Sequence, residues 1–65
     1  MWTVIYIAPN KKSAEKTERL LTQEGMLTKI QPVNKGADQE DGYFEVLVPE
    51  GEAEEAQNII YESGY

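Results

Sequence analysis

One pattern occurs twice in this chain and governs what it can fold into: a β-rich run closed by proline, then a helical run closed by glycine. Trp2–Ala8 (WTVIYIA) is β-branched and aromatic, and Pro9-Asn10 ends it. Residues 10–24 then carry Ala14, Thr17, Leu20 and Leu21 at three- and four-residue spacing, with Gly25 as the stop. The second unit is built the same way. Residues 43–48 read as a strand closed by Pro49, and residues 52–63 as a helix with Ala53, Ala56, Ile59 and Ile60 inward and Gly64 after it. The strand ends match at an offset of 40 residues and the helices at 39. The one-residue difference falls in the connecting turn, where length changes cost little. Between the units, residues 26–33 read as another strand with Pro32 near its end, and residues 34–42 as a polar loop.

The order β-α-β-β-α predicts one α+β domain over residues 1–65, a two-layer ferredoxin-like half-sandwich. Its sheet is expected to be antiparallel and three-stranded, in the order 1-3-2, with both helices on one face. A full ferredoxin-like domain adds a fourth strand beside the first. Here the chain stops one residue after Gly64, so the first strand is expected at an edge. No charge lies between Met1 and Ala8 to blunt that edge, which invites pairing with a partner strand or with its own copy. Both faces of this strand are apolar. The repeat aligns Val4, Tyr6 and Ala8 with Phe44, Val46 and Val48 on the helix side, leaving Ile5, Ile7, Tyr43 and Leu47 for the open face, joined by Glu45 and by Leu27 and Lys29 of the second strand. Trp2, Ile5, Ile7, Tyr43 and Leu47 form the candidate interface, since a contiguous apolar patch on a sheet marks an interaction surface.

Composition narrows the chemistry. With no cysteine and no histidine in 65 residues, there is no disulfide framework, Cys/His zinc site, thiol nucleophile or histidine-based triad. No nucleophile–base pair can be assembled, so the expectation is a non-enzymatic protein without metal or cofactor. No apolar run reaches the roughly 20 residues needed to span a bilayer, and no signal peptide opens the chain, so a cytoplasmic location is expected. The net charge of −6 is lopsided: residues 1–33 sum to +2 and residues 34–65 to −8. An acidic chain lacks the phosphate-neutralising charge that drives nucleic-acid binding, and the same holds for an anionic membrane.

Three polar clusters remain. Asn10, Lys11, Lys12 and Ser13 form the turn into the first helix, with Asn10 or Ser13 as N-cap. Lysines beside the free N–H groups of a helix start suit a small anionic ligand, although no glycine lets the backbone wrap a phosphate. Glu50, Glu52, Glu54 and Glu55 open the second helix, where the dipole favours acids. They fan around the helix at about 100° per residue and do not converge on a metal. Asp38, Gln39, Glu40 and Asp41 before Gly42 fail the calcium-loop template, because Ala37 and Val48 fall on ligand positions. They read as a solvated loop.

Ala8-Pro9, Ala14-Glu15, Leu20-Leu21, Glu24-Gly25, Val48-Pro49-Glu50 and Ala56 together resemble the DUF2007-type family of small bacterial signal-transducing domains. The resemblance covers nearly the whole chain. It implies a ferredoxin-like βαββα fold related in shape to PII-type and ACT-type regulators, and a signalling role, with no catalytic residues to carry over. Decarboxylase activity, sometimes ascribed to chains of this kind, lacks support here. It would need a pyridoxal-phosphate lysine, phosphate-binding backbone and a pyridinium partner on a far larger scaffold. The expected role is therefore a regulatory or interaction module. It would bind a protein partner or itself through the first strand and the open sheet face. A sensor of a small anionic metabolite at residues 9–13 is the other reading.

Overall fold

The computed structural model describes residues 1–34 and 42–64. Strand β1 (Trp2–Ala8) leads through Pro9 into helix α1 (Lys11–Gln23), followed by β2 (Lys29–Pro32), β3 (Phe44–Pro49), a 3-10 turn (Glu50–Glu52) and helix α2 (Ala53–Glu62). β3 lies between β1 and β2 and runs antiparallel to both, giving the order β1-β3-β2. Ala8, Phe44, Val46 and Val48 from the sheet form one buried cluster with Ala14, Leu21, Ala56 and Ile60 from the helices. Both helices therefore cover the same face, and the other face of the sheet is open. Thr17 is also fully buried, and its hydroxyl donates to the Ser13 carbonyl 3.1 Å away, one turn back.

The two units end their helices alike. Gly25 and Gly64 both take φ of 87°, a left-handed conformation that only glycine adopts without cost. After α1 the Gly25 N–H donates to Thr22 O and the Met26 N–H to Leu21 O, the Schellman arrangement, with Met26 and Leu21 both in the core. This cap shortens β2 relative to the 26–33 reading. Met26 is spent on closing the helix, so the strand begins only at Lys29. At the second unit, Pro49 remains in the β3 ladder opposite Trp2, and the 3-10 turn carries the chain into α2.

β1 differs from the regular strand that its sequence suggests. Trp2, Thr3 and Val4 pair with Pro49, Val48 and Leu47, whereas Tyr6, Ile7 and Ala8 pair with Val46, Glu45 and Phe44. Ile5 has no ladder partner. It is the extra residue of a β-bulge, and it turns the first half of the strand over relative to the second. Opposed residues share a face, so Thr3, Tyr6 and Ala8 point to the helices while Trp2, Val4 and Ile7 lie on the open face. Ile5 packs against the core cluster. The expected exchange of faces is thus corrected at two positions: Val4 belongs to the open face and Ile5 to the helix side.

Candidate functional site

The open face is built by three strands. β1 contributes Trp2, Val4 and Ile7, β3 contributes Glu45 and Leu47, and β2 contributes Lys29 and Gln31. Leu47 is only 6% exposed although no helix among the described residues covers this side. Its ladder partners Val4 and Lys29 flank it, and the Lys29 ammonium lies 4.8 Å from the centroid of the Trp2 ring. Because Trp2 and Lys29 sit on opposite outer strands, their contact bridges β3 over Leu47. A cation held over an indole face at this distance is an attractive contact. Beside this group, Gln31 Nε2 donates to Glu45 Oε1 at 2.7 Å, so the half-buried carboxylate is partnered across the ladder.

The apolar residues around Leu47 stay in solvent: Trp2 is 39% exposed, Val4 41% and Ile7 48%. Tyr43 and Val33 extend the patch past the end of the ladder, where the Val33 N–H donates to the Tyr43 carbonyl at 3.0 Å, and both side chains are exposed. Of the five residues expected at the interface, Trp2, Ile7 and Leu47 come together on this face and Tyr43 adjoins them. Ile5 is withdrawn to the core side by the bulge. Val4, Lys29 and Gln31 complete the surface. The patch is contiguous with the outer edge of β1, whose neighbour among the described residues is β3 alone.

The turn into α1 holds the second candidate group. Asn10 is the N-cap, with extended φ and ψ, and its Oδ1 accepts from the Ser13 N–H at 2.8 Å. That bond occupies one of the amides an anion would otherwise use. Asn10, Lys12 and Ser13, with Lys16 and Arg19, line an open depression of about 360 Å³. Lys11 is not part of its wall. An adjoining depression of about 350 Å³ continues along α1 to Gln23 and Ser63. The basic stripe Lys12, Lys16 and Arg19 falls at positions i, i+4 and i+7, a helical spacing legible in the sequence.

The acids Glu50, Glu52, Glu54 and Glu55 surround the start of α2, where Glu52 Oε1 is buried and has no hydrogen-bond partner among the described residues. Among the described residues no group of three or more acidic, histidine or cysteine side chains is placed to hold a metal ion. Likewise, no described helix is long and apolar enough to cross a membrane. Asp38, Gln39, Glu40 and Asp41 lie outside the described residues. Compared with protein-family models, curated proteins and solved structures, the chain matches none of them.

Proposed function

We propose that this protein is a non-enzymatic, cytoplasmic regulatory module that docks a protein partner or its own copy through the β1 edge and the open sheet face. One observation carries the reading. Trp2, Val4 and Ile7 form an exposed apolar surface around buried Leu47, on the face no helix covers and continuous with an outer strand lacking charge. Such an edge presents unpaired backbone groups to a strand, and the face supplies pockets for its side chains. The resemblance to DUF2007-type signalling domains agrees with a role in recognition rather than catalysis.

The test is site-specific photo-cross-linking in expressing cells. A cross-linking residue at Ile7 is expected to give discrete adducts, while one at Tyr61, 83% exposed on α2, gives none. No adduct at Ile7, or the same pattern at both positions, would refute the assignment.

The basic depression favours a second reading, a site for a small anionic metabolite at Asn10, Lys12 and Ser13, with Lys11 adjacent in the chain. Titration with inorganic phosphate and citrate should then move the Lys11 and Lys12 amide resonances. Unmoved resonances at millimolar ligand would dispose of it.

A further inference from the structure

We propose that the outer face of α1 is a docking groove for a short acidic segment of a partner protein, whose carboxylates are taken up by Lys12 and Arg19. The groove lies on the helix side of the domain and does not depend on the reading of β1. It shares its residues with the small-anion reading and assigns them a larger ligand, so the two are competing occupants.

Helical spacing puts Lys12, Lys16 and Arg19 on one line, opposite the buried Ala14, Thr17 and Leu21. At a rise of about 1.5 Å per residue, Lys12 and Arg19 stand roughly 10 Å apart along the axis. The two depressions beside α1 share Lys16 and Arg19, so they form one channel that runs from Asn10 to Gln23 and Ser63. Half-buried Leu20 gives the channel an apolar lining, and among the described residues no carboxylate side chain lines it. Lys16 already has an interaction within the chain, so the exposed Lys12 and Arg19 are the two cations assigned to the ligand.

The acids nearby decide the class of ligand. α1 carries Glu15 and Glu18 beside its four bases, and Glu15 competes for Lys12 and Arg19 from three and four residues away. α2 adds Glu54, Glu55 and Glu62 with no base, and Glu62 immediately precedes Ser63 of the channel. A nucleic-acid strand, charged at every nucleotide, would carry its phosphates past these acids on a chain of net charge −6. A protein segment can confine two carboxylates to the channel and be neutral on either side. A single phosphate would have to draw two long side chains inward, and the Ser13 N–H that would help to hold it already donates to Asn10 Oδ1. In a polyproline-II segment, with three residues per turn and about 3.1 Å per residue, acids at i and i+3 project from one side roughly 9 Å apart. That separation matches the span from Lys12 to Arg19.

NMR titration of the nitrogen-15-labelled full chain at low salt tests this with a capped hexapeptide bearing glutamate at its second and fifth positions. The Lys12, Lys16, Arg19 and Gln23 amides are expected to shift with a Kd on the order of 1 mM, as befits two exposed ion pairs. Glutamine in place of both glutamates, or salt raised to roughly 0.5 M, should abolish the shifts. Lys12→Gln and Arg19→Gln should each weaken binding about threefold or more. Lys11→Gln makes the same change in net charge outside the channel and should leave binding as it was. All three side chains are exposed, and circular dichroism checks that each variant is folded.

Unmoved amides with the glutamate peptide overturn the inference. So do equal losses from Lys11→Gln and Lys12→Gln, which would mean attraction to net charge alone. Phosphate or citrate binding these residues more tightly than the peptide overturns it and leaves the metabolite reading standing. A thymidine hexanucleotide binding more tightly overturns it in favour of nucleic acid. Peptide binding with phosphate and citrate silent supports it and disposes of the metabolite reading.

Discussion

Deleting one residue from the middle of a β-strand ordinarily flips every side chain on one side of the cut, but the bulge makes Ile5 an exception. On either side of it, Val4 pairs with Leu47 and Tyr6 with Val46, which are consecutive residues of β3. Without Ile5 the ladder from Trp2 to Ala8 becomes regular, and every other residue keeps its partner and its face. The loss is the half-buried Ile5 side chain, about 1–2 kcal/mol as a fraction of the value for full burial. Against it stands the ordering of one fewer residue, worth roughly 1–2 kcal/mol. The net change is expected within about 1.5 kcal/mol of zero. Deletion of Glu45 from β3 is the contrast. Its neighbours are paired without a gap on the β2 side, so either Phe44 or the buried Val46 and Val48 must turn out of the core. Displacing one such side chain costs about 3–5 kcal/mol. A domain of this size has only about 3–10 kcal/mol in total, so that variant should lose about half or more of its stability. Urea titration followed by circular dichroism and by the fluorescence of the single tryptophan reads both variants. If the Ile5 deletion unfolds as readily as the Glu45 deletion, Ile5 is not the surplus residue.

Leu21 is fully buried at the α1 cap, so Leu21→Ala should lower stability by about 2–5 kcal/mol, read as a large drop in the urea midpoint. Asn10→Ala removes the bond to the Ser13 N–H and should lower stability by about 0.5–1 kcal/mol, the low end for a cap because the freed amide is exposed to water. Gly25→Ala meets open space but a φ of 87°, so its cost of about 1–2 kcal/mol comes from the backbone alone. A thermal-melt comparison with a neighbouring exposed substitution isolates that cost. A double-mutant cycle with Trp2→Leu and Lys29→Met should return a coupling of about 0.5–1 kcal/mol, read by circular dichroism since the fluorophore is lost.

The repeat made the topology legible: two strand–proline–helix–glycine units predict the strand order, the shared helix face and both left-handed glycines. The bulge was not legible, for a physical reason. Trp2–Ala8 is apolar at nearly every position, so no alternation of polar and apolar residues records a slip of one. No glycine stands in the strand to mark it either. Ile5 and Val4 accordingly exchange faces relative to a regular strand, which alters the composition of the open surface while leaving its place in the fold as expected. β2 is shorter than its apolar pattern because the Met26 amide closes the helix before the strand begins, a demand set by the cap rather than by hydrophobicity. The basic stripe Lys12, Lys16 and Arg19 is legible in the sequence as an i, i+4, i+7 spacing.

The contact between Trp2 and Lys29 joins the two outermost strands, which share no backbone hydrogen bonds with one another. β2 has only four residues and ends in proline, which makes it the first strand expected to fray. Any opening of β2 that separates Lys29 from the indole must also uncover Leu47. The strap thus couples the two outer strands to one another across β3. It also places the single tryptophan where both fraying and docking would change its emission. A ligand settling on the face and a strand leaving it should therefore register at one wavelength in opposite senses.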